Sequence, residues 1–402
     1  MDAADTEQTG PGRWIALAAI WLVYTAFGST AASLAPILPE IRDELGVDNT
    51  TMGAILGAWT LVYVAAAIPA GVLLDAIGTR LGVFAAALII AASAYLRGVA
   101  TTPETLLLAV GLFGLGGPLI SIGAPKLIAQ LFPSRSRGTA IGIYMTGPNL
   151  GAILSLTLTN DFLIPLVGSW RGVMVFHAGF ALAAGLIWLA AMALARLKDD
   201  TIERHPFDRQ ALFSLLRHRE VITVLVMALG VFFINHAMNN WLAALLRAKG
   251  MEAAAAGYWS AIPTLVGMVA ALTVPRFATE PRRLKILMAI YAAAAVASIL
   301  IAVGSGAGLA AGLILQGVVR GSMMSITVLV MVELSAIPKS RAGLAGGLFF
   351  TAGEIGGVLG PLTIGSLRDL SGSFVMPFFS LTVMALVLMA LTFSLGRTMR
   401  RN

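Results

Sequence analysis

Residues 133–151 and 338–356 carry one pattern twice, 205 positions apart in a chain of 402. At that offset Pro133 falls on Pro338, Gly138 on Gly343, Ala140 on Ala345, Gly142 on Gly347 and Gly151 on Gly356. The register continues upstream without a gap, matching Gly116 with Gly321, Ala92 and Ser93 with Ala297 and Ser298, Arg80 with Lys285, and Asp75 with Glu280. A chain that repeats itself in this way folds as two similar halves. What those halves are made of follows from their hydropathy.

Hydrophobic residues are 58% of the chain and charged residues 12%, far from soluble-protein usage. Long apolar runs fall at roughly 14–38, 51–74, 81–100, 104–131, 138–160, 170–194, 219–246, 253–275, 284–303, 307–334, 342–364 and 373–395. Each can cross a hydrocarbon core of ~30 Å at ~1.5 Å per residue. The expectation is an all-α membrane protein with twelve transmembrane helices, six in each half. Residues 1–194 form the first six-helix bundle and 219–402 the second. Between them, 195–218 reads as a cytoplasmic linker, with a stretch from Arg209 to Arg217 suited either to an amphipathic helix at the inner surface or to a solvated tether. Duplicated hydrophobic halves are the parallel-repeat plan of transporters whose substrate site lies between two lobes.

With the N-terminus inside, the inner loops and tails hold Arg13, Arg80, Arg135, Arg137, the cluster from Arg196 to Arg219, Arg276 to Lys285, Lys339, Arg341 and Arg397 to Arg401. Only Arg42, Arg97, Arg171, Arg247, Lys249 and Arg368 fall outside. This asymmetry predicts that both termini are cytoplasmic. It also explains the net charge of +7 and a pI near 10.0 through attraction to an anionic inner leaflet, so nucleic acid is not implied as a partner. Cysteine is absent and the four histidines are scattered, which leaves no disulfide, thiolate nucleophile or Cys/His metal centre, and no cofactor is expected. Short loops leave no room for a soluble catalytic domain, and no hydrolase, metalloprotease or nucleotide-binding motif is present, so an enzyme is not expected. Asn49-Thr50-Thr51 matches a glycosylation triplet, a match common by chance.

Between the second and third runs stands Gly71-Val-Leu-Leu-Asp75-Ala-Ile-Gly78-Thr-Arg80, and the fifth run contains Gly147-Pro148-Asn149-Leu-Gly151. The first resembles the loop signature of the major facilitator superfamily and the second its Gly-Pro motif. With the twelve runs, the repeat and the central linker, the resemblance covers the whole chain. Its subfamily style is similar to bacterial carriers of small organic anions and to the cyanate and nitroimidazole branch. The resemblance implies a monomeric carrier in a bacterial inner membrane, working by rocker-switch alternating access. It further implies that Asp75 and Arg80, with Gly71 and Gly78, latch the cytoplasmic side, and that Gly147, Pro148 and Gly151 form a packing hinge. Departures matter as well. The first run carries no charge between Trp14 and Leu38, and the arginine that many proton-coupled members hold in the fourth run is replaced at Val110, which argues against drug-efflux proton antiport.

An ionisable group at bilayer depth costs at least ~2.5 kcal/mol on insertion scales, so each needs a partner, a wet cavity or a function. Arg320 and Glu354 lie near the middle of the tenth and eleventh runs, and in the 205-residue register they replace Leu115 and Asn149. Arg320 is expected to hold an anionic substrate group in its planar fork, and Glu354 to neutralise it in the empty site and to take up a proton. The competing expectation is a permanent ion pair between the two. Asn235, His236, Asn239 and Asn240 put four hydrogen-bonding side chains within two turns of the seventh run, a span that lines the cavity in the resembled family. His236 is the second candidate for proton coupling. Asn149, beside Pro148, can bind substrate or cap the carbonyl that the proline frees. Tyr24, with Trp59, Tyr63, Tyr144, Phe349 and Phe350, can wall a cavity. His177 reads as a packed, hydrogen-bonded histidine, and Lys126 as a cytoplasmic gate or interfacial anchor.

Overall fold

The computed structural model describes residues 12–195, 213–280, 282–338 and 341–399, and every regular element among them is helical. Among these residues eleven helices have membrane length: α1 (Gly12–Ala32), α2 (Asn49–Val99), α3 (Pro103–Leu131), α4 (Ser134–Leu158), α5 (Trp170–Leu194), α6 (Arg219–Ala248), α7 (Ala253–Thr273), α8 (Arg283–Val303), α9 (Gly306–Val332), α10 (Ala342–Ser371) and α11 (Val375–Met399). The 51-residue α2 is two spans joined at Gly78, whose φ of 79° and ψ of 166° interrupt the helix. Only glycine adopts such a backbone without strain. Among the described residues the membrane-length spans therefore number twelve, and the loop signature marks the break.

Helix ends follow local chemistry. Thr102 and Thr105 form a reciprocal capping box at the start of α3, and Ser169 accepts the Gly172 N–H at the start of α5. The first apolar run stops being a continuous helix at Ala32, because Pro36 opens a short 3-10 turn, Ala35–Ile37, that leads into a small helix, Leu38–Leu45. The fifth run ends in a π-turn, Thr159–Leu163, where Asn160 Nδ2 donates to Pro36 O at 2.9 Å.

Two compact units emerge, Met1–Leu45 with Ala58–His205, and Gly46–Gly57 with Pro206–Asn402. The first turns of α2 cluster with the second unit, whereas the rest of that helix belongs to the first. Of the Arg209–Arg217 segment, residues 209–212 lie outside the described residues, and 213–215 are helical.

In the first unit Ile20, Phe113 and Trp188 are fully buried, and Trp188 Nε1 donates to Arg80 O at 2.8 Å. Glycine lets α1 and α4 approach backbone to backbone. A Cβ on Gly147 would lie 2.8 Å from Trp21 O, and one on Gly151 would lie 2.6 Å from Ser29 N. The second unit repeats the device: a Cβ on Gly356 would lie 2.8 Å from the Leu229 carbonyl carbon, and one on Gly360 would lie 3.2 Å from Ala237 N, so α10 packs as closely on α6. Small residues are what permit such approach where lipid supplies no hydrophobic drive between helices. Other glycines of the repeat differ. A Cβ on Gly138, Gly142 or Gly347 would meet no atom within 4 Å, so these positions do not serve close packing.

Candidate functional site

The polar stretch of α6 divides over two faces, as its spacing dictates. Asn235 and Asn239 share one face, and His236 and Asn240 the next. Asn240 is consumed by the helix: it is buried, and its Nδ2 donates to His236 O at 2.8 Å. Asn239 is exposed and accepts a hydrogen bond from Arg320 Nη1. The guanidinium thus reaches from α9 to α6. Among the described residues it makes no ion pair with Glu354, so the expected Arg320–Glu354 pair is absent. Arg320 of α9 and Glu354 of α10 face different residues of α6.

Glu354 lies on α10 with 7% of its surface exposed, and its Oε2 has no hydrogen-bond partner among the described residues. Its nearest charged or chargeable neighbour is His236, with Nε2 at 3.8 Å from Oε2. That distance is too long for a hydrogen bond and short enough for strong coupling between a carboxylate and an imidazole. Phe232, one turn earlier on α6, stacks on the His236 ring at 6.0 Å and 15°, with the edges of Phe349 and Phe350 against it. A guanidinium held by an amide, a buried carboxylate with an unmet oxygen, and an imidazole stacked on an aromatic ring therefore share the middle of the second unit. The arrangement can bind an anion at Arg320 and move a proton at Glu354 or His236. Asn235 is half-buried on the Asn239 face.

The remaining predicted residues belong to the first unit. Tyr24 is buried in its core, with Phe27 at 5.6 Å and Tyr144 at 5.7 Å between ring centroids. Phe27 in turn meets Trp59, and Tyr63 bonds Ser121 through their hydroxyls at 2.7 Å. Asn149 donates through Nδ2 to Met145 O at 3.2 Å, so it braces α4 beside the Pro148 defect. Asp75 meets Lys126 Nζ at 2.7 Å, joining α2 to α3 close to the Gly78 break. Gly71 has open space around it.

Two contacts go beyond what the sequence pattern implies. Lys126 is an ion-pair partner of the signature Asp75, where its position suggests a gate or anchor. Arg97, expected in an outer loop, is 1% exposed. Its Nη1 donates to Thr30 O at 2.9 Å and Ser33 Oγ at 3.3 Å, and its guanidinium lies 5.2 Å from the Phe113 ring. It thereby neutralises the carbonyl end of α1. Beside it His177 Nδ1 bonds Ser29 Oγ at 3.0 Å, in keeping with a packed histidine. The place of Arg97 in the last turn of a span is the only signal the sequence offers for this role.

A sequence profile described as Major Facilitator Superfamily matches residues 20–361. The chain is 24% identical over 377 residues to the uncharacterized transporter YycB of Bacillus subtilis, covering 92% of this chain and 90% of that one. It is 24% identical to the D-galactonate transporter of Escherichia coli O6:H1, covering 90% of each, and 23% identical to the 2-nitroimidazole transporter of Escherichia coli K12, covering 98% of each. Among solved structures it resembles a bacterial homologue of the human lysosomal transporter Spinster, with a TM-score of 0.77 at 17% identity, over 97% of this chain and 98% of that one. The nucleoside transporter NupG aligns with a TM-score of 0.76 at 15% identity, over 96% and 99%.

Proposed function

Because the chain belongs to the major facilitator superfamily, and is a multi-pass membrane transporter rather than an enzyme, we propose that it moves a small organic anion by alternating access, coupled to protons. The observation that carries this reading is the group in the second unit: Arg320 donating to Asn239, and Glu354 buried with an unmet Oε2 at 3.8 Å from His236. The guanidinium supplies bidentate recognition of a carboxylate, with Asn239 and Asn235 offering further hydrogen bonds on the same face. When the anion takes the guanidinium, Asn239 is released to it, and a proton on Glu354 or His236 keeps the buried charge balanced. Sugar-acid carriers among the relatives, for D-galactonate, galactarate or D-glucarate and hexuronate, make monocarboxylates and dicarboxylates of this size the first substrates to try. In this reading the chain works as a monomer in the bacterial inner membrane, with both termini cytoplasmic, and Asp75 with Arg80 serves as the inner latch.

A second reading, export of planar drug-like compounds, is favoured by the aromatic set Tyr24, Phe27, Trp59, Tyr63 and Tyr144 of the first unit and by the 2-nitroimidazole relative. Purified protein in liposomes distinguishes them. Labelled galactonate, glucarate, glucuronate and 2-nitroimidazole are offered with and without a pH gradient, to the native chain and to Arg320→Ala and Glu354→Gln. Anion uptake lost in Arg320→Ala and no longer gradient-driven in Glu354→Gln supports the first reading. Uptake of the neutral heteroaromatic alone, indifferent to Arg320→Ala, supports the second.

A further inference from the structure

The start of α2 is capped by a residue 320 positions away. A helix leaves its first N–H groups without intrahelical acceptors, and here those of Asn49, Thr50 and Thr51 are all met. Asp48 accepts the Thr51 N–H through Oδ1 at 2.8 Å, and its carbonyl takes the first regular helical bond, from the Met52 N–H at 3.1 Å. The other two N–H groups go to Asp369, near the end of α10. Asn49 N–H donates to Oδ1 at 3.1 Å and Thr50 N–H to Oδ2 at 2.7 Å. Both side chains add to this, Asn49 Nδ2 donating to Oδ1 at 2.6 Å and Thr50 Oγ1 donating to Oδ2 at 2.7 Å. One carboxylate therefore accepts four hydrogen bonds from the first turn of another helix. The first turns of α3 and α5 are capped by their own Thr102 and Ser169.

Below the cap the two helices lie backbone to backbone. A Cβ on Gly365 would lie 2.7 Å from the Asn49 carbonyl carbon, one on Gly53 would lie 2.9 Å from Leu362 Cα, and one on Gly57 would lie 3.0 Å from Val358 O. The seam thus runs from Asn49–Asp369 down to Gly57–Val358, two turns of α2, and these are the turns that cluster with the second unit while the remainder of α2 belongs to the first. The helix is shared, so any motion of the two units relative to each other must bend α2 near residue 57 or undo this seam. The polar cap at its outer end makes undoing it a discrete event: four hydrogen bonds to one carboxylate are made or broken together.

We propose that Asp369 is an outer clamp, holding the first turn of α2 on α10 and releasing it whenever the transporter opens to the outside. This rests on the reading of the chain as an alternating-access transporter. The four bonds also leave the Asn49 amide committed to Asp369, so this triplet serves the clamp. A hydrogen bond to a charged group is among the stronger ones in proteins, and a carboxamide at 369 retains an acceptor for Asn49 while presenting a donor to the Thr50 N–H.

The chain has no cysteine, so a single Val358→Cys reports on the seam without further engineering. Intact cells are treated with a membrane-impermeant maleimide, and the thiol labelling rate is compared in the Val358→Cys background alone, with Asp369→Asn, and with Thr50→Val. The clamp predicts a rate increase of about tenfold with Asp369→Asn, the factor equivalent to ~1.4 kcal/mol, and a smaller increase of the same sign with Thr50→Val. Equal rates in all three overturn it. Thr50→Val removes one hydroxyl and keeps its N–H, so it decides the question if Asp369→Asn fails to fold. The readout needs no substrate. Faster labelling in a chain that transports none of the offered anions leaves the clamp standing and removes the proposed substrate, whereas unchanged labelling in a chain that transports them removes the clamp alone.

Discussion

Gly356 and Gly347 sit on the same helix, α10, and replacing each by alanine has opposite consequences. A Cβ at 356 would stand 2.8 Å from the Leu229 carbonyl carbon and 3.0 Å from Phe233 N, and closer still to Leu229 O. Non-bonded carbon prefers about 3.5–4.0 Å, so α6 and α10 must part by more than about 1 Å to clear Leu229 O, which forfeits about half or more of each dispersion contact at the crossing. Over-packing of this kind costs about 1–3 kcal/mol. Around Gly347 nothing lies within 4 Å, and alanine there gains about 0.5–1 kcal/mol from the smaller entropy loss of a helical residue. The two substitutions should therefore differ by about 1.5–4 kcal/mol in unfolding free energy. Reversible unfolding in mixed micelles, followed by tryptophan fluorescence, measures the difference. Equal stabilities for Gly356→Ala and Gly347→Ala would refute the division of the repeated glycines into packed and open classes.

Other outcomes follow from single contacts. Arg97→Ala is expected to destabilise the first unit by about 2 kcal/mol or more, since it leaves a cavity and removes the guanidinium's hydrogen bonds to Thr30 O and Ser33 Oγ; thermal unfolding checks it. A double-mutant cycle on Asp75→Asn and Lys126→Ala should return a coupling of at most about 1 kcal/mol, because Asp75 is about one-third exposed and solvent screens the pair. A coupling several times larger would show that the ion pair is a principal tie between α2 and α3. Trp241→Phe loses the Nε1 donation to Pro361 O at 3.0 Å, at a cost of about 0.5–1.5 kcal/mol, since that carbonyl lies inside α10 and keeps its helical bond. No change in unfolding on this substitution would mean that water replaces the indole.

The architecture is legible in the sequence for a physical reason. Lipid demands long apolar runs, and a repeat in which Gly151 answers Gly356 survives because both positions meet a neighbouring backbone in their own unit. The break at Gly78 is equally visible, inside the loop signature. Partner choice is harder to see. Arg320 and Glu354 share a depth, which suggests an ion pair, yet Arg320 bonds Asn239 and Glu354 faces His236, because a long side chain selects among neighbours that no local pattern specifies. Asn240 looks like a ligand and is bonded to its own helix, the usual competition of asparagine for nearby carbonyls. Arg97 has the pattern of an outer-loop charge because it ends an apolar run, and its acceptors, at the end of α1 and just beyond it, lie 67 and 64 positions away. Asp369 gives no signal for the same reason: its acceptor role depends on a helix start 320 positions earlier.

The proposed transport cycle turns on Arg320 binding an anion in a site whose charge Glu354 and His236 balance with a proton. Isothermal titration of the purified protein with D-galactonate, glucarate and glucuronate, alongside Arg320→Ala, examines that step by itself. At least one of these anions is predicted to bind the native chain with accompanying proton uptake, and to lose about 2–3 kcal/mol, or about 30- to 150-fold in affinity, in Arg320→Ala. Binding of equal strength in both proteins would leave Arg320 without a part in anion recognition and overturn the proposed site.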